Sequence, residues 1–237
     1  MAAKKSGRQS AESAQQTRDS IVCAAVELFA DKGFEAVSVR EIAEAAQVSH
    51  GLIRHHFGNK LQIWHRICEL IVDDVNLELE YLLRHLDESL QPNERFFQLL
   101  STLLASHLND PRLMKLMSDA FRGDPEKFVI FNSMPDCIEQ LMQRELTKVQ
   151  QQGYLSGLVV DEVKWMLCMF ADAPAMMEPM MLDIYGAQLQ QAQLRHWQFS
   201  CRMIAAMLGV DIATLPQVSS LAEVATPREQ YNPSCLA

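Results

Sequence analysis

The 237-residue sequence contains few residues that interrupt an α-helix: it has nine glycines and nine prolines, and aromatic residues make up only 7% of it. Hydrophobic residues reach 49% and are rich in leucine, alanine and methionine. This composition favours helices over strands and argues against disorder over most of the chain. The length fits one small domain and one larger domain. We therefore predict an all-α protein of two domains.

Long apolar runs are also missing. No stretch of the sequence has the length and apolarity of a transmembrane helix. The N-terminal segment MAAKKSGRQSAESAQQ is basic and then polar, without the apolar core of a signal peptide. We therefore expect a cytoplasmic protein with no membrane partner.

The sequence lacks the common short motifs of catalytic and metal sites. It has no H-E-x-x-H, no E-x-x-H di-iron signature, no glycine-rich phosphate loop and no G-x-S-x-G. Its six cysteines are scattered without a C-x-x-C pair, which argues against a zinc or disulfide framework. They are expected to be small buried hydrophobic residues, with a redox-sensing thiol as the alternative. We predict that the protein is not an enzyme and holds no metal or cofactor.

The densest pattern of local signals lies in residues 38–60, SVREIAEAAQVSHGLIRHHFGNK. Ser38 and Glu41 form an S-x-x-E capping box, in which each side chain satisfies a backbone N–H at the start of a helix. Ser49 can cap a second, short helix, and Asn59 can cap a third. Small alanines in the first helix allow another helix to cross closely. Two short capped helices with a tight connection are the layout of a helix-turn-helix.

Residues 18–60 resemble the DNA-binding domain of the tetracycline-repressor (TetR) family. The resemblance rests on the segments AAVELFADKGF, VSVREIAEAAQVS and HFGNK and on the recognition segment between the last two. It implies a transcriptional regulator with an N-terminal three-helix DNA-binding domain and a larger C-terminal helical domain for effector binding and dimerisation. The alternative is a capped helical hairpin inside an ordinary helical core.

The second helix of the motif and its flanks supply the side chains for DNA contact. Arginine and histidine can bind phosphates or base edges, and Leu52 offers apolar surface to thymine methyl groups. The predicted DNA-contact residues are Ser38, Arg40, Ser49, His50, Gly51, Leu52, Arg54, His55, His56 and Lys60.

Two positions depart from the family pattern. Arg54 stands where the family usually has an aromatic residue, and Gln47 stands where a glycine is usual. Neither change breaks the motif. Arginine makes its site more cationic, so Arg54 either binds a phosphate or reads a guanine in the major groove.

The net charge of −9 is unevenly distributed. Residues 1–60 hold eight Lys or Arg and seven Asp or Glu, a net charge of +1, so the remaining residues carry −10. The acidic residues therefore lie mainly in the C-terminal part. The net negative charge of the protein does not make its N-terminal part repel DNA. Lys4, Lys5 and Arg8 form either an arm that touches DNA or a solvated tail.

The sequence divides into a flexible basic arm (1–13), the helix-turn-helix domain (14–60), the helical effector-binding and dimerisation domain (61–209) and a C-terminal tail (210–237). Helical spacing and stop signals predict the first helix over 14–32 and a long fourth helix over 60–85. Later helices are predicted to start near Pro92, Pro111 and Pro125, with a break at Pro135 and two final helices over 161–177 and 187–208. The tail is expected to be a short helix followed by loose chain.

A homodimer is expected because one recognition helix reads only a few base pairs, whereas a two-fold pair reads a palindrome. The resemblance implies that the last two helices form the dimer interface as a four-helix bundle.

Methionines are concentrated in the second half of the chain: after Met1 none occurs before Met114, and six lie between residues 166 and 181. Flexible thioethers suit a cavity for an apolar small molecule, although core and interface packing is the alternative, and a Cu(I) site is a further one. Family placement gives the candidate pocket residues Trp64, His107, Met117, Phe121, Met166, Met169 and Phe170.

The combined prediction is a DNA-binding repressor that binds a palindromic operator as a homodimer and is released by a small-molecule effector. The alternative is a TetR-like DNA-binding dimer that controls a protein partner, of the nucleoid or division-factor type, without such an effector.

Overall fold

The structure, a computed structural model, describes residues 3–122, 125–132, 138–186, 188–211, 213 and 217–230, with side chains described from residue 12 onward except at 131, 132 and 138. Every regular element in these ranges is helical, which confirms the predicted all-α class. The α-helices are α1 (Ala3–Lys32), α2 (Val39–Ala45), α3 (His50–Phe57), α4 (Lys60–His85), α5 (Pro92–Asn109), α6 (Arg112–Arg122), α7 (Pro125–Asn132), α8 (Ile138–Gln151), α9 (Val160–Met176), α10 (Glu178–Tyr185) and α11 (Leu189–Leu208). No helix in these ranges is long and apolar enough to cross a membrane.

The chain forms two compact units. The described residues of the first unit fall within 3–72 and 115–132, and those of the second within 73–114 and 138–230. This division differs from the boundary predicted after residue 60. The first unit includes the start of α4, which begins at Lys60, and it includes α7 and most of α6, where Asp119 accepts a bond from the N–H of Phe34.

The first unit has a core built from the helix-turn-helix and the two helices that flank it. Apolar side chains of α1 to α4 that recur three or four residues apart are buried together, as helical periodicity requires. They include Ile21, Val22, Ala25, Phe29, Ile42, Ile53, Phe57, Ile63, Trp64, Ile67 and Ile71. Gly33 has φ +81° and its N–H bonds Phe29 O at 2.9 Å, which confirms the predicted end of α1.

The N-terminal arm is a correction to the sequence analysis. Residues 1–13 were expected to be a flexible arm, but α1 begins at Ala3 in the structure. The segment AKKSGRQSAES contains no proline and is rich in residues compatible with a helix, so the helix extends beyond its apolar face.

The second unit is arranged around α5, which contacts α8, α9 and α11 and is buried along most of its length. Three side chains tie it to α11 by hydrogen bonds to backbone carbonyls. Trp197 Nε1 donates to Ser101 O at 2.8 Å, and Asn93 Nδ2 donates to Leu208 O at 3.0 Å. Gln193 Nε2 donates to Leu108 O at 3.0 Å.

Most predicted helices are present, and one helix was missed. The structure confirms α4 over the predicted residues and places α9 and α11 within two residues of their predicted bounds. The predicted helix after Pro125 is two helices, α7 and α8, and Pro135 lies outside the described residues. The unpredicted helix is α10, which has Pro179 in its first turn and ends at Gly186. Its eight residues are too few for a periodicity signal.

Residues 217–230, here called the C-terminal segment, lie in the tail that was predicted to be a short helix followed by loose chain. In the structure they contain two short 3₁₀ turns, Leu221–Glu223 and Arg228–Gln230, and pack on the second unit. Leu221 is buried, and the N–H of Thr226 bonds Ser106 Oγ at 3.0 Å.

Candidate nucleic-acid interface

The helix-turn-helix begins with the capping box that the sequence predicts. Ser38 Oγ accepts a hydrogen bond from the N–H of Glu41 at 3.2 Å, and Glu41 Oε2 accepts one from the N–H of Ser38 at 2.8 Å. Hydrogen bonds from the backbone and hydroxyl of Ser38, and then from Lys32, lower the pKa of Glu41 to about 2. The start of α2 is therefore fixed by local chemistry.

The turn between α2 and α3 passes through Gln47, one of the two departures from the family pattern. Gln47 has φ +55°, a left-handed conformation that costs a residue with a Cβ about 1–2 kcal/mol. The N–H of Val48 then bonds Ala43 O at 3.0 Å, which closes the turn. A glycine would adopt this conformation without the steric cost, so the usual residue at this position has a clear physical reason.

The recognition helix α3 has a buried face and an exposed face. Ser49 Oγ caps it by accepting a bond from the N–H of Leu52 at 3.3 Å, and Ile53 and Phe57 anchor it in the core. The exposed residues of α3 are His50, Gly51, Leu52, Arg54 and His55. Five of the predicted DNA-contact residues are therefore accessible on one eight-residue helix.

His56 is half-buried beside these exposed residues. Its ring meets that of His55 edge to face, with centroids 5.2 Å apart. Partial burial, together with the neighbouring charges of His55 and Arg18, lowers the pKa of His56 below 6.5. The charged form of His56 is therefore disfavoured.

Lys60 and Arg40 already have partners within the protein. Lys60 Nζ donates to Phe34 O at 2.8 Å and to Val37 O at 2.9 Å, and it lies 4.2 Å from the centre of the Phe34 ring. Arg40 pairs with Glu44 at 3.0 Å, in an exposed ion pair that contributes little to stability. Lys60 therefore ties the start of α4 to the loop after α1, whereas Arg40 is easily released to a phosphate.

Lys127, a buried cation that was not predicted from the sequence, supports the same loop. The ammonium of Lys127 lies 3.0 Å from Asp119 Oδ2 and 4.7 Å from the centre of the Phe34 ring, and its side chain has no exposed surface. Asp119 also accepts a bond from the N–H of Phe34 at 3.2 Å. These contacts join α6 and α7 to the helix-turn-helix, and no spacing rule marks them in the sequence.

The seven candidate pocket residues do not fall in one unit. Trp64, Met117 and Phe121 belong to the first unit, where Trp64 is fully buried against Phe29 and Phe34. The second unit contains His107, Met166, Met169 and Phe170. In that unit the backbone carbonyl of Phe170 faces His196 Nε2 at 2.8 Å, and Met169 is 41% exposed. The assignment of a pocket to these residues stays a prediction.

Comparison with known proteins finds relatives of part of the chain. Residues 21–67 match the family described as bacterial regulatory proteins, tetR family. The transcriptional regulator AcrR of Shigella flexneri is 40% identical over 75 residues, which are 31% of this chain and 35% of AcrR. An HTH-type transcriptional repressor of Mycobacterium tuberculosis is 43% identical over 49 residues, 21% of this chain and 26% of that protein. The N-terminal part of the chain is therefore similar to tetR-family regulatory proteins.

The curated relatives are matched over about a third of their length or less. Solved structures of regulators resemble a larger part of the chain in fold. The regulator FadR of Bacillus subtilis, solved in complex with stearoyl-CoA, is 20% identical with a TM-score of 0.59, and the match covers 81% of this chain and 98% of FadR. The family consists of transcriptional regulators, which are not enzymes.

Proposed function

We propose that the protein is a transcriptional repressor that binds a palindromic DNA operator as a homodimer and leaves it when a small-molecule effector binds. The observation that carries the proposal is α3, a short capped helix with basic and titratable side chains on its exposed face. Its buried anchors, Ile53 and Phe57, give that face a fixed orientation for the major groove.

The exposed side chains have separate roles in this proposal. Arg54 reads a guanine or binds a phosphate, and Leu52 contacts a thymine methyl group. His50, His55 and His56 add hydrogen bonds at the groove. The N-terminal turns of α2 and α3, with Ser38, Arg40, Ser49 and Gly51, bind the phosphate backbone. Lys60 keeps its two bonds to backbone carbonyls and offers its third N–H to a phosphate.

The proposed homodimer is supported by exposed apolar side chains at the C-terminal end of the second unit. Large apolar residues that are at least 39% exposed recur on the last three helices, and a monomer in water would leave them in contact with solvent. They are Trp165, Met169, Met177, Met180, Ile184, Leu189, Phe199, Met203 and Met207. A self-complementary surface of this kind suits a two-fold dimer.

Release by an effector is supported by the relatives. FadR of Bacillus subtilis binds stearoyl-CoA, so a protein of this fold can hold a ligand with a large apolar part. The methionines of α9 provide flexible apolar surface suited to such a ligand. Repression rather than activation agrees with the repressor of Mycobacterium tuberculosis.

A second candidate function is control of a protein partner. It is favoured by exposed apolar residues on α6 and α7, where Phe121 is 49% exposed, Phe128 45% and Val129 63%, and where the two phenylalanine rings pack edge to face. An exposed aromatic cluster of this kind is typical of a docking surface.

The deciding experiment is selection of bound sites from random double-stranded DNA with the purified full-length protein. We expect enrichment of a palindrome, with tight binding that weakens steeply as salt rises. A variant with Arg54, His50 and His55 all changed to alanine is the control and should enrich no site. Enrichment of unrelated sequences by the wild type, or of the same palindrome by the variant, would contradict the proposal.

A further inference from the structure

The second unit contains a buried acidic cluster that the proposed DNA contacts do not use. Asp74 and Glu78 lie one turn apart on α4, and they are 0% and 1% exposed. Asp110, the third carboxylate, follows α5. Carboxylates are rarely buried unless a cation or hydrogen-bond donors compensate them, so the partners of this cluster define its chemistry.

One guanidinium from a distant part of the sequence joins two of these carboxylates. Arg228, in the C-terminal segment, donates from Nε to Asp74 Oδ2 at 3.1 Å and from Nη1 to Asp110 Oδ2. Its side chain is 11% exposed. A planar guanidinium with several fixed donors suits this bridging position better than an ammonium would. The acidic cluster is thus shaped for a planar cation.

Asp110 has a second cationic partner. Arg112 donates to it from Nε at 3.0 Å and from Nη2 at 2.6 Å. Burial opposes the charge of Asp110, but the bonds from Arg112 and the charge of Arg228 outweigh it and hold the pKa of Asp110 below its usual value. Two arginines therefore compensate the two aspartates.

Glu78 is the remaining carboxylate of the cluster, and the hydrogen bonds given above for the two arginines go to the two aspartates. Its Oε1 is buried and has no hydrogen-bond partner among the described residues. Burial raises the pKa of Glu78, opposed by His107 and Ser106 and reinforced by the charge of Asp74. Thr226, which is 8% exposed and bonded through its N–H to Ser106, also has a buried oxygen, Oγ1, without a partner in the described part of the chain. Two buried oxygen atoms of this region, Glu78 Oε1 and Thr226 Oγ1, therefore lack a hydrogen-bond partner among the described residues.

We propose that Asp74, Glu78 and Asp110 form a binding site for an organic cation of the guanidinium or amidinium class, which the chain itself fills with Arg228. The C-terminal segment is then a cover that the ligand displaces. An external ligand must compete with a tethered group at high effective concentration. The ligand binds the cluster more tightly than Arg228 does when it carries a further hydrogen-bond donor for Glu78. The inference rests on the proposed function in one respect, which is that the cation is taken to be the proposed effector.

Displacement breaks the anchors of the C-terminal segment, which include Arg228, the bond from Thr226 to Ser106 and a hydrogen bond between Tyr81 and Gln230. Of its described residues, Leu221 and Thr226 are buried and most others are exposed. Elements with few buried contacts open at low free-energy cost. Asp74 and Glu78 lie on the same continuous helix as Lys60, so a ligand at this site binds the helix that follows the recognition helix.

The test is chemical rescue of Arg228→Ala in the full-length protein. Ethylguanidinium replaces the atoms that this substitution removes. We expect the variant to lose about 10 °C in Tm, because breaking a buried ion pair is strongly destabilising. Ethylguanidinium should then restore about half of that loss with saturation, by mass action on the folded state. Tetramethylammonium at the same concentration, which cannot donate hydrogen bonds, should restore none.

Two matched variants make the result specific. Arg84→Ala removes an arginine that is 68% exposed on α4, and ethylguanidinium should leave its Tm unchanged. Adding Asp74→Asn to Arg228→Ala should abolish the rescue. Equal effects of the two cations, or rescue that survives Asp74→Asn, would overturn the proposal.

A measurement on the wild type covers the case in which Arg228→Ala does not fold. Ethylguanidinium should increase deuterium uptake in residues 217–230 while uptake in α5 stays constant, because it competes with Arg228. Unchanged uptake in that segment at saturating probe would overturn the proposal. None of these measurements contains DNA, so operator binding, measured separately, can succeed or fail independently.

Discussion

Arg54 is exposed on α3, and its neighbours Ile53 and Phe57 are among the buried residues of the first unit. Its backbone carbonyl accepts a bond from the N–H of Gly58, so the last turn of α3 is held in place. A long side chain on a fixed backbone can reach either a guanine edge or a phosphate.

Arg54→Ala is expected to lower operator affinity by about 1–3 kcal/mol, the range of a single base-reading arginine. Fluorescence anisotropy on the selected operator and on random DNA separates the two roles. A larger loss on the operator assigns Arg54 to a base, and equal losses assign it to a phosphate. Arg84→Ala, another exposed arginine, is the control and should bind as the wild type does. Unchanged affinity for both DNAs would remove Arg54 from the interface.

Gln47 has a strained backbone conformation. Its φ of +55° is disfavoured for a residue with a Cβ. Since the neighbouring bond from Val48 to Ala43 fixes the turn, the conformation is imposed by the surrounding helices.

Gln47→Gly is expected to raise the free energy of unfolding by up to about 1 kcal/mol, since relief of left-handed strain exceeds the entropy that glycine adds to the unfolded chain. Urea denaturation measures the change. The control is Gln143→Gly in the middle of α8, which should lose about 1 kcal/mol. A loss at Gln47 equal to that at Gln143 would show that φ at Gln47 is not strained.

At the scale of the element, α2 and α3 begin with caps of different chemistry. The cap of α2 pairs Ser38 with the carboxylate of Glu41, whereas the cap of α3 is Ser49 alone, bonded to the N–H of Leu52. Only the first of these two caps contains an ionisable group. This difference gives α2 a pH dependence that α3 lacks.

Ser38→Ala is expected to cost about 1 kcal/mol of stability at pH 7, as loss of an N-cap usually does. The pKa of Glu41 is about 2 in the folded protein against 4.5 as its ordinary value. Its contribution is therefore fully present above pH 4.5 and is lost as the pH falls toward 2. The penalty of Ser38→Ala should shrink over that window in denaturation measured at several pH values. The penalty of Ser49→Ala should not, and parallel pH profiles for the two variants would contradict this assignment.

At the scale of the whole molecule, the exposed apolar residues of α9 to α11 are the basis of the proposed homodimer. On α11, Phe199, Met203 and Met207 recur at helical spacing and are 39–47% exposed, while Ser200, Cys201 and Ile204 between them face the core of the second unit. An apolar stripe of this kind favours association over solvent exposure.

Met203→Glu is expected to convert the proposed dimer to a monomer, because a charge in an apolar two-fold interface is repeated on both subunits. Sedimentation velocity at micromolar concentration measures the change. Binding to the palindrome should weaken as well, while binding to a single half-site stays the same. Gln140→Glu, an exposed change on α8, is the control. A Met203→Glu protein that still sediments as a dimer would place the interface elsewhere.

The sequence was sufficient to predict a structural feature wherever the interactions that determine it are local. The capping box of Ser38 and Glu41, the helix stop at Gly33 and the bounds of α4 are all set by residues within a few positions of one another. Helix periodicity placed Trp64 and Ile67 on one buried face, as observed. The spacing of residues a few positions apart can be seen in the sequence, so these features could be predicted without the structure.

The sequence by itself therefore determined the helical class, the helix-turn-helix and the resemblance of the N-terminal part to the tetR family. Only the tertiary structure decided the partners of its charged residues. Lys127 and Arg228 read as ordinary solvated cations, yet each is mostly or wholly buried against a carboxylate. Arg228 meets Asp74 across 154 positions of the chain. The pairing of two charges that distant depends on how whole helices pack, and no local preference of either residue encodes it.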